Sequence, residues 1–391
     1  MGPLLLRRLL LAALGLLLAG CAAVPPLPQV ERLLDDAAFA APSEPVDAAQ
    51  PFALSERMRH YLDVEIAPQL RRKGARDGLV EALASKGQLR IEYDAASTRT
   101  AAQAFDARAG NCLSLVVMTA AMARHLGVPV EFNDVVTEEG WARAGDLMVN
   151  AGHVNLTLGQ RLVEDRLGRD SGRTVMVDFD PPSGRSRPLV RPIGERTVIA
   201  MFMNNRAAEA LVAGRVDDAY WWVRGALLQE PTFTSSYNTL AVVYQRHGRP
   251  QQAERVLRHL LDREPANTAL LANLVNALRA QGRGAEAEVV AQRLAKIEPM
   301  PPFHWYQQGV AALERRDYAA ARDAFTREVE RSAYYHEFHF GLALAYAGLG
   351  DFARARREAE LALQHSSTGR ERQLYTAKLE WLDKRRGTRV Q

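Results

Sequence analysis

Cysteine is scarce in this chain of 391 residues, which contains only Cys21 and Cys112. Two cysteines are too few for the disulfide framework that holds small secreted domains together, so that class of protein is excluded. The sequence has neither a glycine-rich phosphate loop nor a dinucleotide-binding fingerprint, and it implies no cofactor. The formal net charge is only +4, which offers no argument for a nucleic-acid partner.

Long hydrophobic runs are also scarce, and the densest one covers residues 9–18, directly after Arg7 and Arg8. The run is too short to span a bilayer comfortably and ends in small residues, which is typical of an export signal. Its end, Leu-Ala-Gly before Cys21, resembles the lipobox of bacterial lipoproteins. The resemblance implies a signal peptide over residues 1–20 and a lipid on Cys21 that anchors the chain in the membrane. Ala22, where an aspartate would favour the inner membrane, implies a Gram-negative outer-membrane protein facing the periplasm. An ordinary secretory signal with a chance cysteine is the alternative.

The rest of the chain divides into three parts, as its length leads us to expect. Residues 21–50 are rich in alanine and proline, which predicts a flexible tether between the membrane and the fold. Residues 51–195 mix helical and strand patterns. Residues 196–391 have helical patterns to the end.

The middle part has the pattern of an α+β domain. Apolar residues at helical spacing predict a buried helix over residues 113–126, which Gly127 and Pro129 would end. Residues 128–132 favour a strand, and residues 153–158 and 174–179 alternate between polar and apolar side chains. A helix followed by antiparallel strands indicates an α+β arrangement.

Three residues of this domain carry the pattern of a cysteine nucleophile with its base. Cys112 precedes the buried helix, and a thiol at the positive end of a helix dipole is favoured as the reactive thiolate. His153 starts one alternating segment and Asp178 lies in the next, so adjacent strands would place the two side by side beneath Cys112. This is the order of a Cys-His-Asp triad. Asp180 shares a strand face with Asp178 and is the alternative acid.

Four stretches around these residues follow the pattern of one family: residues 109–114, 120–130, 152–155 and 177–181. They resemble the transglutaminase-like superfamily, most specifically in an alanine-rich helix that is followed by Arg-His-Leu-Gly-Val-Pro-Val. The resemblance implies a papain-like fold, Cys112 as nucleophile and His153 as general base and then acid. It also implies acyl transfer through a thioester, with an oxyanion held by the backbone N–H of Cys112 and one other donor. Leu113 and Val154 depart from the aromatic residues common in the family, and its Asp-Pro ending corresponds to Asp180.

The last part of the chain repeats itself every 34 residues. Alanine recurs at positions 219, 253, 287, 321 and 355, with prolines and glycines in the same phase and Arg316 replacing one glycine. This period resembles the tetratricopeptide repeat. It predicts five helical repeats from about residue 200 to 365, a capping helix over 370–386, and an all-α solenoid.

Two functions are consistent with these patterns. The first is an envelope-anchored, transglutaminase-like cysteine peptidase or amidase whose repeats dock a protein or peptide partner. The second is a catalytically inactive transglutaminase-like lipoprotein that serves only as a binding scaffold. His336 and His339 lie three residues apart, but their spacing is not that of a zinc metalloprotease, and we predict no metal site.

Overall fold

A computed structural model describes residues 30–85, 89, 91–95, 97–136, 141–144, 147–150, 152–159, 174–179, 189–332, 335–366 and 368–387. The predicted signal peptide, Cys21 and Asp180 lie outside these residues. Among the helices in the described ranges, none combines the length and the apolar character that crossing a membrane requires.

The N-terminal segment of residues 30–52 packs against the repeats. This corrects the predicted flexible tether for residues 30–50, while residues 21–29 of that prediction lie outside the described residues. The ring of Phe39 stacks on that of Tyr220 with centroids 3.9 Å apart, and the Tyr244 hydroxyl donates a 2.7 Å hydrogen bond to the Leu33 carbonyl. The Ser43 amide and hydroxyl both donate to the Asp218 carboxylate at 2.7 Å. The alanine and proline content suggested a tether, but burial of Leu33 and Phe39 outweighs the chain entropy of the segment.

In its described residues, the α+β region contains the helices α1 (Glu56–His60), continued by a wider turn through Tyr61–Glu65, then α2 (Ala67–Lys73), α3 (Ala75–Ala84), α4 (Ala101–Ala107) and α5 (Cys112–His125). Its strands are β1 (Glu92–Tyr93), β2 (Ala109–Gly110), β3 (Val130–Val136), β4 (Trp141–Ala144), β5 (Leu147–Asn150), β6 (His153–Gly159), β7 (Thr174–Val177) and β8 (Leu189–Ile193). The predicted helix and the predicted strands are therefore present.

The central sheet places α5 over the start of β6. Four antiparallel strands follow in the order β7-β6-β3-β8, and the two-residue strands β1 and β2 pair in parallel beside them. Every residue of α5 from Leu113 to Ala123 is buried, and the helix packs against β6. Helices and strands in this region agree with an α+β class, while its assignment to the transglutaminase-like fold stays a prediction.

The C-terminal part is a solenoid of paired antiparallel helices. Its described helices are α6 (Glu195–Val212), α7 (Val216–Gln229), α8 (Thr234–Arg246), α9 (Pro250–Leu261), α10 (Thr268–Ala280), α11 (Gly284–Ile297), α12 (His304–Glu314), α13 (Tyr318–Arg331), α14 (His336–Gly348), α15 (Phe352–Gln364) and α16 (Gly369–Gly387). The first ten form five pairs and α16 follows them, so the all-α solenoid is confirmed. Arg316 stands where the other repeats have glycine. It adopts a left-handed φ of 60° at its turn, which is a strained conformation for an arginine.

The hydrophobic core does not divide where the composition of the chain changes. One continuous core extends from Val30 to Ala287, joining the α+β region to the first three helical pairs. It ends at α11, where Val290 and Leu294 are only half-buried and Val289 is 68% exposed. Smaller separate cores hold the last pairs together. The break in packing therefore lies between α11 and α12, although the 34-residue period continues through it.

A buried carboxylate stabilises the unit after this break. Glu328 is 1% exposed and accepts hydrogen bonds from the backbone N–H groups of Trp305 and Tyr306, at 2.7 and 3.0 Å. Both donors lie in the first turn of α12, whose unsatisfied N–H groups and dipole favour an anion. Glu328 thus replaces the side-chain cap that Phe303, the residue before α12, cannot supply.

Candidate functional site

Cys112 is the first residue of α5, and a side-chain cap fixes the start of that helix. The Asn111 side-chain oxygen accepts hydrogen bonds from the Ser114 amide at 2.9 Å and from the Ser114 hydroxyl at 2.7 Å. The Cys112 thiol is free and partly exposed. The cap leaves the sulfur at the N-terminal end of the helix, where the dipole favours negative charge.

Gly110 allows the backbone before α5 to pass close to Ser114 in the first turn of that helix. A Cβ atom at this position would lie 2.8 Å from the Cβ of Ser114, closer than such atoms approach one another. The preceding strand β2 is held by β1, and the Asp94 amide donates a 3.0 Å hydrogen bond to the Gly110 carbonyl. Only glycine fits between the strand and the capped helix without moving one of them.

His153 and Asp178 lie within hydrogen-bonding distance, one at the start of β6 and the other just after β7. The register pairs Leu156 with Val177, which brings the end of β7 alongside the start of β6. The His153 Nε2 atom is 2.9 Å from Oδ1 and 3.0 Å from Oδ2 of Asp178. The Cys112 thiol is near enough to the ring to raise the pKa of His153. Since Nε2 is bound to the carboxylate, only Nδ1 remains for a contact with the sulfur.

The surroundings of His153 favour its protonated form. Burial by itself lowers the pKa of His153, but the hydrogen bond to the Asp178 carboxylate and the effect of the nearby Cys112 thiol outweigh it. Together they raise the pKa of His153 from its ordinary 6.5 to about 10. An imidazolium between a carboxylate and a sulfur is the arrangement in which a thiolate is stabilised near neutral pH.

A buried row of amides lies behind this pair and was not singled out from the sequence. Asn155 donates a 3.0 Å hydrogen bond from Nδ2 to Oδ2 of Asp178, and Asn133 donates to Oδ1 of Asn155 at 3.0 Å. Asn133 also donates to the Thr157 hydroxyl at 3.1 Å. Asn133, Asn155 and Thr157 are at most 4% exposed. The alternation that put Asn155 and Thr157 on the face of His153 was the available signal, because a buried amide needs partners on that face.

The structure thus brings Cys112, His153 and Asp178 together, while Asp180 and Cys21 lie outside the described residues.

His336 and His339 each contact a side chain within the repeats. The His336 ring lies 2.6 Å from the Tyr375 hydroxyl, and the His339 ring lies 2.7 Å from the Glu358 carboxylate. Within the described ranges, no group of three or more His, Cys, Asp or Glu side chains is arranged to hold a metal ion.

Comparison with known proteins found similarity in the repeat region. The TPR repeat-containing thioredoxin TDX of Oryza sativa subsp. japonica is 30% identical over 84 residues, which is 22% of this chain and 26% of that protein. The chain therefore matches about a quarter of the length of this curated relative. A thermophilic TPR protein of Thermus thermophilus is 19% identical over 46% of this chain and 98% of its own, with a TM-score of 0.30. The pilF protein of Pseudomonas aeruginosa is 20% identical over 50% of this chain and 89% of its own, with a TM-score of 0.29.

Two family models, both described as tetratricopeptide repeats, match residues 244–305 and 306–371. Helices α9 to α15 lie within residues 244–371. Stacked repeats of this kind form extended surfaces that typically bind protein or peptide partners. The C-terminal region of this chain therefore contains tetratricopeptide repeats over residues 244–371.

Proposed function

We propose that the chain is a thiol-dependent hydrolase or acyl transferase of the bacterial envelope, with a transglutaminase-like site and repeats that hold its protein or peptide partner. The observation that carries the proposal is a buried imidazole that is hydrogen-bonded to the Asp178 carboxylate and whose pKa is also raised by the nearby Cys112 thiol. A structural histidine needs no thiol beside it. A nucleophile at a helix start, a base and an orienting acid are the three parts that acyl transfer through a thioester requires.

The chemistry follows from these positions. The Cys112 thiolate attacks the carbonyl carbon of an amide, and the His153 imidazolium donates its proton to the departing amine. The resulting thioester is released when His153 takes a proton from an attacking water or amine, which gives hydrolysis or crosslinking respectively. N–H groups in the first turn of a helix have no partner within it, so the amide of Cys112 is available to stabilise the oxyanion.

Alkylation of Cys112 tests the proposed chemistry directly. In the full-length protein in detergent, we expect iodoacetamide to modify Cys112 at pH 6 at least tenfold faster than free cysteine, because an ion-paired thiol is already a thiolate. His153→Gln should abolish the advantage. His125→Gln is the matched control, since His125 lies at the other end of α5 and pairs with the Asp63 carboxylate at 2.7 Å. Alkylation of the parent at the rate of free cysteine would refute the proposed activity.

The second candidate, an inactive scaffold, is favoured by the repeat region, whose interaction role does not depend on a thiol. Partner capture from envelope extracts separates the two. If the chain is a scaffold, Cys112 should be unreactive, the Cys112→Ala variant should still capture the partner, and a variant without residues 196–391 should lose it. If the chain is an enzyme, Cys112 should be reactive, and the Cys112→Ala variant should release a trapped substrate more slowly than the parent.

The proposal includes a lipid on Cys21 and an outer-membrane location facing the periplasm. Its support is the Leu-Ala-Gly-Cys sequence behind a short apolar run. Growth with an alkyne-labelled fatty acid should label the parent chain but not Cys21→Ser, and Cys112→Ser should keep the label. A Cys21→Ser chain that still carries the label would refute this assignment.

A further inference from the structure

A chain of hydrogen bonds connects the loop before Cys112 to the first repeat helix. The Thr98 amide donates a 2.6 Å hydrogen bond to Oε1 of Glu209, which lies on α6. The Thr98 hydroxyl accepts a 2.9 Å hydrogen bond from the side-chain amide of Asn111. Asn111 is the residue before Cys112 and caps α5 through Ser114. Three hydrogen bonds thus separate a carboxylate of the repeats from the start of the nucleophile helix.

Glu209 is itself held from the side of the repeats. Arg206 donates a 3.1 Å hydrogen bond to Oε2 of Glu209 and a 2.8 Å hydrogen bond to Glu44 of the N-terminal segment. Trp222 of α7 donates to the same Glu44 oxygen at 3.0 Å. Burial raises the pKa of Glu209, and the hydrogen bonds from Thr98 and Arg206 oppose this effect. The carboxylate therefore faces Thr98 from a fixed position.

The contact matters because Thr98 is 2% exposed. A buried N–H that loses its acceptor carries the full cost of desolvation, so the loop around Thr98 would shift to find another partner. Asn111 would follow through its amide, and the cap that sets the first turn of α5 would loosen. A displacement of about 1 Å at a reacting group is enough to cost up to roughly a hundredfold in rate.

We propose that Glu209 is a positioning residue for Cys112, so that the first tetratricopeptide helix completes the hydrolase site. This inference rests on the proposed function and deepens it. An α+β region separated from the repeats would therefore lose the hydrogen bond between the Thr98 amide and Glu209. Contacts made by the first repeat and by the N-terminal segment reach the nucleophile through Arg206, Glu209 and Thr98.

The test compares three substitutions of Glu209 in the full-length protein. Glu209→Ala removes the acceptor of the Thr98 amide, Glu209→Asp draws the carboxylate back, and Glu209→Gln keeps a neutral acceptor oxygen. The matched control is Glu254→Ala on α9, which removes another largely buried carboxylate, one that accepts 2.6 Å hydrogen bonds from Arg258 and Arg283. The readouts are the alkylation rate of Cys112 between pH 5 and pH 10 and the thermal midpoint of each variant.

We expect Glu209→Ala to slow alkylation at pH 6 by roughly tenfold and to move the rise of the rate toward the pH at which free cysteine reacts. Glu209→Gln should restore most of the rate and Glu209→Asp only part of it, while Glu254→Ala lowers the thermal midpoint without changing the rate. A Glu209→Ala variant with the parent's rate and pH profile would overturn the proposal. If that variant does not fold, equal rates for Glu209→Asp and the parent would do so.

Failure of this inference is distinct from failure of the proposed function. A reactive parent with insensitive Glu209 variants refutes the positioning role alone. A parent that reacts like free cysteine refutes the activity and the positioning role with it.

Discussion

Among single substitutions that leave His153 and Cys112 in place, Asp178→Asn should change the titration of His153 the most. The Oδ2 atom of Asp178 lies 3.0 Å from both His153 Nε2 and Asn155 Nδ2. An amide oxygen in that place accepts from both donors, while the amide nitrogen replaces Oδ1, the oxygen 2.9 Å from Nε2. Asp178→Asn therefore removes the negative charge together with one of the two contacts that the carboxylate makes with the ring.

The expected size follows from the distance. An opposite charge within about 4–6 Å shifts a pKa by about 1 to 3, and the pKa of His153 is raised to about 10 in the parent. Asp178→Asn should bring the pKa of His153 down into the range of about 7 to 9. At pH 8 the protonated fraction of His153 should therefore fall from nearly all of the molecules to between roughly a tenth and nine tenths of them.

The stability of the protein should respond in a defined direction. Because the folded-state pKa of His153 lies above its ordinary value of 6.5, protonation stabilises the fold fully below pH 6.5 and this contribution is lost as the pH rises toward about 10. Asp178→Asn should reduce the stability that the protein loses as the pH rises. The free energy of unfolding in urea at about pH 6, 8 and 10 measures this loss.

The assay is a titration of histidine rings labelled with ¹³C, in which His153→Gln identifies the signal. Asp63→Asn is the matched control, because it removes the carboxylate 2.7 Å from His125 at the far end of α5. It should leave the titration of His153 unchanged. If His153 titrates at the same pH in folded Asp178→Asn as in the parent, the electrostatic reasoning is wrong.

Three further substitutions test other parts of the structure. Glu328→Ala should lower the free energy of unfolding by about 2–4 kcal/mol in urea titrations, because two partly buried N–H groups lose their buried acceptor; Glu328→Gln should cost less than half as much. Arg316→Gly should raise that free energy by about 0.5–1 kcal/mol, since glycine adopts a positive φ without strain; a lower value would contradict the strain. Gly110→Ala should slow alkylation of Cys112 by roughly tenfold by disturbing the helix start, whereas Gly284→Ala, whose Cβ would meet no atom within 4 Å, should not.

Local patterns in the sequence were sufficient to predict the elements that carry the candidate site. The apolar spacing over residues 113–126 predicted α5, and the alternation from His153 predicted β6. The 34-residue period predicted the helical pairs and the tetratricopeptide family. These features depend on residues a few positions apart, whose spacing decides which face of an element is buried.

The same patterns carry no information on how the parts pack on one another. The segment around Phe39 has the composition of a tether, yet its ring stacks on Tyr220, far along the chain. The repeat phase continues from α11 to α12, although the core is interrupted there. Neither fact has a local signal, since each depends on which apolar surfaces meet.

By itself, the sequence determined which residues form the candidate site and where the helices repeat: a thiol at a helix start, a histidine and an aspartate on neighbouring strands, and a 34-residue period. Only the tertiary structure decided that Asp178 reaches the His153 ring, that Asn155 holds Asp178, and that Glu209 of the repeats supports the loop before Cys112. The physical reason is that hydrogen bonds act over about 3 Å, whereas the partners of such a bond can lie anywhere along the chain. Periodicity fixes which face of an element each residue occupies, and only packing fixes what lies against that face.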